Sequence, residues 1–154
     1  MSGGAMTIRM ATQDDVEQIT RMVNAAYTTY LDRMEKPPAP MLADYATQIA
    51  SGGAHVLILG AEIAGVLVIE AKDQALFIEN VAVDPAFQGQ GLGRRLMAFA
   101  ERYACEHGLR ELRLYTNEVM VESLAFYQRL GFEEVERRVD DGYHRVFMRK
   151  SLAQ

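Results

Sequence analysis

The chain is poor in cysteine, in long apolar runs and in clustered histidine, and each shortage excludes something. A single cysteine, Cys105, stands among 154 residues. No internal disulfide framework is possible, and a reducing, cytoplasmic setting is expected. Its place beside Ala104 in a helical pattern reads as a buried structural thiol rather than a nucleophile. No apolar run reaches the ~18 residues that a membrane span needs. Met1 to Met6 also lacks the apolar core of a signal peptide. No membrane partner is expected. His55, His107 and His144 are scattered without ligand spacing, so no metal is expected. Sixteen basic residues face 21 acidic ones, for a net charge of −5. That balance argues against a nucleic-acid-coating surface, and no nucleic-acid partner is expected.

What is present is enough for a packed domain. Apolar residues make up 49% of the chain, and its length fits one domain with a real core. Residues 1–6 read as a flexible lead and 7–152 as that domain. Thr7–Met10 is β-compatible. Thr12 followed by Asp15 approximates a capping box. Val16, Ile19, Val23 and Tyr27 then recur at helical spacing, which predicts a helix over Gln13–Tyr30. Lys36-Pro37-Pro38-Ala39-Pro40 reads as an extended connector, and Met41–Ala50 as a second helix. Strands are expected over Ala54–Leu59, Ile63–Glu70 and Phe77–Val83, joined by short turns into an antiparallel meander. A long helix stops at Gly108. Glu111–Thr116 reads as a strand, Ser123–Leu130 as a helix, and Glu133–Val139 and Tyr143–Arg149 as strands paired around Asp140-Asp141-Gly142.

The most informative stretch joins Phe77–Val83 to the long helix. It reads Gln88-Gly89-Gln90-Gly91-Leu92-Gly93, followed by Arg94 and Arg95. The first N–H groups of a helix have no helical partner and its N-terminus is electropositive. Glycines let a bulky anion approach such a backbone. Two arginines in a first turn oppose the dipole, and a bound polyanion would account for them. The other reading is a glycine turn with two solvated arginines. The spacing is not G-x-G-x-x-G, and no lysine follows the last glycine, so neither the dinucleotide fingerprint nor the triphosphate loop fits.

Gln88–Gly93 resembles the Q/R-x-x-G-x-G/A loop of the GNAT superfamily of N-acetyltransferases. Phe126-Tyr127-Gln128-Arg129-Leu130-Gly131-Phe132 resembles that family's second signature, F-Y-x-x-x-G-F. The two occur in the family's order, about forty residues apart, and the resemblance extends over about Thr7–Leu152. It implies an α/β (α+β) fold: a mixed, mostly antiparallel seven-stranded sheet flanked by about four helices, with strands four and five splayed. It implies acetyl-CoA as cosubstrate, its pyrophosphate held by Gln88, Gly89, Gln90, Gly91, Leu92, Gly93 and Arg94. The pantetheine arm would bond along the backbone of Val81, Ala82 and Val83. Tyr127 matches the family tyrosine near the leaving sulfur. The family often has asparagine six residues before the Phe of the second signature, where this chain has Met120. Ser123 occupies the small-residue position, and Asn117 is the candidate for the missing polar contact to the arm.

The chemistry so implied is acyl transfer from a thioester to a primary amine, of a small molecule or of a peptide or protein. Freeing the lone pair of an alkyl amine near pH 7 costs roughly 4–5 kcal/mol, and a general base offsets that. Glu79 interrupts an apolar strand on the face of Phe77, Val81 and Val83 and is the first candidate. Its other reading is a carboxylate at the sheet rim or paired with an arginine. Glu118, just past the fifth strand, is the reserve. A phenol near pKa 10 protonates a thiolate near 8.5 uphill by about 2 kcal/mol. A strengthening hydrogen bond is therefore the larger part of what Tyr127 offers. The alternative for Tyr127 is a core tyrosine packed on Leu130. The resemblance puts Tyr27, Tyr30, Tyr45 and Asp44 beside the acceptor, although helix packing accounts for the tyrosines equally well. Two rivals stand: a non-catalytic coenzyme A-binding sensor, and a transferase of a longer acyl group. Oligomeric state is left open, a homodimer included.

Overall fold

The computed structural model describes residues 6–152. Seven strands form one sheet: β1 (Met6–Met10), β2 (Ala54–Leu59), β3 (Glu62–Lys72), β4 (Ala75–Val83), β5 (Glu111–Asn117), β6 (Glu133–Asp140) and β7 (Tyr143–Ser151). Their order in the sheet is β1-β2-β3-β4-β5-β7-β6. Five α-helices accompany them: α1 (Val16–Tyr27), α2 (Ala39–Leu42), α3 (Tyr45–Ala50), α4 (Leu92–Glu106) and α5 (Val121–Arg129). This is the expected mixed seven-stranded sheet, with one short helix more than expected. The expected lead falls outside the described residues except for Met6, which opens β1.

The described chain forms two compact units, 6–69 with Asn80–Phe99 and Glu70–Glu79 with 100–152. In the first, Ile19, Met22 and Val23 of α1 and Tyr45 and Ile49 of α3 pack with Val56, Val66, Val68 and Ala82 of the strands. Thr12 and Asp15 do form the expected N-terminal cap. The Thr12 N–H donates to Asp15 Oδ2 at 2.8 Å, and Arg9 grips both Asp15 oxygens at 2.8 and 3.2 Å. These bonds, Arg9's first, hold the Asp15 carboxyl below the usual carboxylate range.

The helical region departs from the sequence in detail. The single helix expected over Gln13–Tyr30 is a 3₁₀ turn at Gln13–Asp15, the α-helix α1, and a second 3₁₀ run at Thr28–Arg33. Thr28 bonds its hydroxyl to the Asn24 carbonyl at 2.6 Å, a local competitor of the helical ladder. The helix expected over Met41–Ala50 is interrupted at Ala43 and Asp44, because Asp44 caps a new helix by accepting from Thr47 N at 3.2 Å. Ala39 and Pro40, expected in an extended connector, open α2 instead. Proline is tolerated in a first turn, where no N–H is needed.

In the second unit β5 pairs with β7 over seven residues each, Glu111↔Ser151 to Asn117↔Arg145. β7 pairs with β6 through a two-residue turn in which Asp141 and Gly142 both hold positive φ, the hairpin geometry that Asp-Gly favours. Leu112, Leu114, Val146 and Met148 are buried beneath it. Cys105 is a correction. The thiol is exposed, because the face of α4 that faces inward carries Leu96, Ala100 and Ala104, and residue 105 lies about 100° round from 104.

The β4–β5 pairing is parallel and short. It runs Ala75↔Glu111, Leu76↔Leu112 and Phe77↔Arg113, while the strands themselves continue to Val83 and Asn117. That early end of the ladder is what the splay of strands four and five implied.

Candidate functional site

β4 carries two different faces. Leu76, Ile78, Asn80 and Ala82 are buried, whereas Phe77, Glu79, Val81 and Val83 are partly or fully open. The alternation is the period of two that a strand imposes. Past Phe77 the ladder to β5 has ended, so the edge of Ile78–Val83 on that side is not paired to β5 among the described residues. Such an edge is the usual template for an added extended ligand.

The chain leaves β4 through Asp84, whose carboxylate accepts from Ala86 N at 2.9 Å. A 3₁₀ turn, Pro85–Phe87, leads into Gln88–Gly91. Gly89 and Gly91 hold φ of +87° and +76°, a left-handed backbone that side chains rarely adopt. A Cβ at either would meet nothing within 4 Å. The space on that side of the turn is open among the described residues. The helix begins at once: Arg95 N–H donates to the Gly91 carbonyl at 3.2 Å. The amides of Leu92, Gly93 and Arg94 therefore form the first turn, where no helical acceptor exists. Gln88 reaches back, its Nε2 3.5 Å from the Val83 carbonyl. Gln88, Gln90, Arg94 and Arg95 are exposed. The arrangement offers several helix-start N–H groups without helical acceptors, a positive dipole end and two exposed arginines, chemistry suited to an anion.

The other candidate residues belong to the second unit. Glu79 is exposed, yet nearby protein removes enough water to push its pKa above the usual carboxylate range, with the Glu70 carboxylate a second, smaller cause. That is the direction a base near neutral pH needs. Tyr127 lies half-buried on α5, its ring 5.4 Å from Phe126 and 5.7 Å, edge-on, from Phe132. Ser123 is half-buried one turn earlier on the same helix. Asn117 ends β5 and uses its side-chain oxygen to accept from Val119 N at 3.1 Å. Met120, where the family often has asparagine, is buried, and its sulfur accepts from Thr116 Oγ1 at 3.4 Å. Glu118 stands 3.9 Å from Arg137 and 3.8 Å from His144, an exposed charge cluster. Among the described residues no group of three metal-ligating side chains occurs.

One residue escaped the sequence reading. Asn80, buried in β4, accepts from the Tyr27 hydroxyl at 2.9 Å and donates to the Tyr45 hydroxyl at 2.9 Å. Tyr45 in turn donates to the Pro40 carbonyl at 2.6 Å. Burial, partly opposed by the Asn80 bond, pushes the Tyr45 phenol well above its ordinary pKa. The only signal in the sequence was an amide inside an apolar strand, next to the more conspicuous Glu79.

Solved structures share this fold. The PaiA N-acetyltransferase of Thermoplasma acidophilum, crystallised with coenzyme A, matches with a TM-score of 0.79 at 16% identity, over 96% of this chain and 99% of that one. The ribosomal-protein-S18-alanine N-acetyltransferase of Escherichia coli gives 0.76 at 21% identity, over 97% and 96%. At those identities the likeness is one of fold. Sequence carries it further: residues 17–132 match the acetyltransferase (GNAT) family, and the chain belongs to that family. Among curated proteins, the mycothiol acetyltransferase of Amycolatopsis mediterranei is 45% identical over 62 residues, 40% of this chain and 21% of that protein. The aminoglycoside N(6')-acetyltransferase type 1 of Salmonella typhimurium is 36% identical over 62 residues, 40% of this chain and 43% of that protein. Each match thus spans less than half the curated relative.

Proposed function

We propose that the chain acts as one domain over 7–152, an N-acetyltransferase that moves the acetyl group of acetyl-CoA directly to a primary amine in a ternary complex. The observation that carries this reading is the open glycine turn at the start of α4, with nothing within 4 Å of a Cβ at Gly89 or Gly91. The residues present fit the coenzyme: backbone amides and Arg94 for the diphosphate, and the edge of Val81–Val83 for the pantetheine amides. When bound, acetyl-CoA supplies an activated thioester.

This chain's residues then have three tasks. The Gly89–Arg94 amides bind and orient. Glu79 takes the amine's proton, its raised pKa suiting it to that task. The Tyr127 hydroxyl donates to the departing sulfur, a bond that strengthens as negative charge develops. The Glu79 and Glu70 carboxylates favour a cationic acceptor. Aminoglycosides and a peptide with N-terminal alanine are the first acceptors to try, given what the relatives are named for.

Thiol release from acetyl-CoA across such an amine panel, read with mass spectrometry of the acceptor, tests the proposal. Release that depends on an amine, with a 42-dalton gain on it, is the expected result. Coenzyme binding with no release for any amine would favour a sensor, and release only from longer acyl thioesters would change the donor.

A further inference from the structure

We infer that Asn80 is a positioning residue for the coenzyme: its side chain fixes the stretch of β4 that β5 no longer holds. The inference rests on the proposed use of that strand edge by the pantetheine arm. A strand is normally located by its two neighbours. β4 loses β5 after Phe77, and Asn80 lies three residues further on, directly before Val81. Leu76, Ile78 and Ala82 on the same face are apolar, and packing alone would be served by another apolar residue. An amide buried there costs stability unless fully bonded. This one is bonded on both sides, to α1 through Tyr27 and to α3 through Tyr45.

The polarity of the chain of bonds is determined at its far end. The Pro40 carbonyl can only accept, so Tyr45 spends its one proton there. The Tyr45 oxygen must then accept from the Asn80 NH₂, and the Asn80 oxygen must accept from Tyr27. These directions give the amide one orientation, oxygen toward Tyr27 and NH₂ toward Tyr45. It pins residue 80 inward, and alternation then turns Glu79 and Val81 to the opposite, open face. The backbone beyond Phe77 is held by its side chain from below, leaving its edge available to a ligand.

Coenzyme A carries both the diphosphate and the pantetheine arm, whereas 3′-phosphoadenosine 5′-diphosphate carries only the first. Titration of wild type, Asn80→Ala and Tyr45→Phe with both ligands separates the loop from the strand edge. We expect Asn80→Ala to weaken coenzyme A about tenfold, a difference of about 1.4 kcal/mol, and the fragment by less than twofold. Tyr45→Phe, which removes one hydroxyl and keeps the ring, should show the same split at smaller size and guards against a variant that fails to fold. Equal loss for both ligands, or no loss for either, overturns the positioning role while leaving the transferase reading intact. Wild type that binds no coenzyme A overturns both.

Discussion

The Gly91 carbonyl accepts the N–H of Arg95 at 3.2 Å while Gly91 holds φ at +76°, so one residue both takes the first bond of α4 and adopts a backbone that a side chain would strain. Gly91→Ala adds only backbone strain, about 1–2 kcal/mol. Gly91→Glu adds a carboxylate where the diphosphate is proposed to sit, and a like charge within ~4 Å costs on the order of 1–4 kcal/mol. Calorimetry should show coenzyme A affinity reduced at least about fivefold further in Gly91→Glu than in Gly91→Ala. Equal affinities would remove the loop from coenzyme binding.

Glu79 should reveal itself through pH. Its raised pKa means that the folded chain binds the proton more tightly than the unfolded chain. The resulting stabilisation is present below the unfolded carboxylate value, about 4.3, and is lost as pH rises through the folded value. Glu79→Gln should therefore melt above wild type at pH 7, the gap closing below pH 4. The same variant should lose about a hundredfold or more in kcat/KM, and the wild-type acidic limb should fall above pH 4.3. A more stable variant with full activity would make Glu79 a rim carboxylate.

Tyr127→Phe keeps the ring contacts with Phe126 and Phe132 and removes one hydroxyl. Turnover should fall by about a hundredfold to a thousandfold, as for loss of one donor to a developing anion, with coenzyme A affinity within twofold of wild type. Steady-state kinetics beside a binding titration measure the two separately. Unchanged turnover would reduce Tyr127 to a packing residue.

Asp15 joins a helix cap to a partly exposed ion pair. Asp15→Asn should cost about 1 kcal/mol at pH 7 in urea denaturation. The lowered pKa of Asp15 gives the opposite sign to Glu79. Its contribution is present above the unfolded carboxylate pKa and lost as pH falls through the folded value. The difference from wild type should therefore vanish in acid.

The strands were easy to see in the sequence because a period of two and short turns such as Asp141-Gly142 are local signals. The glycine turn at 88–93 was equally visible, since it is a backbone requirement written in residue type. The helical stripe of α1 was visible, but its ends were not. Thr28 and Asp44 decide those through single side-chain bonds that compete with the ladder by a fraction of a kcal/mol to about 1 kcal/mol. Cys105 is exposed although its neighbour Ala104 is buried, since adjacency in sequence says nothing about which side of a helix a residue takes. Asn80 went unread for a different reason. Its partners lie 53 and 35 residues away, and no periodicity reports a bond across that distance.

The central claim is that main-chain amides between Gly89 and Arg94 bind the coenzyme's diphosphate while the edge of β4 takes its arm. Amide resonances of ¹⁵N-labelled protein, followed as coenzyme A is added, test this most directly. The account predicts saturable shifts concentrated at Gly89–Arg94, joined by Val81 and Val83. Saturable binding that leaves those amides in place, or no shift at any residue, would contradict it.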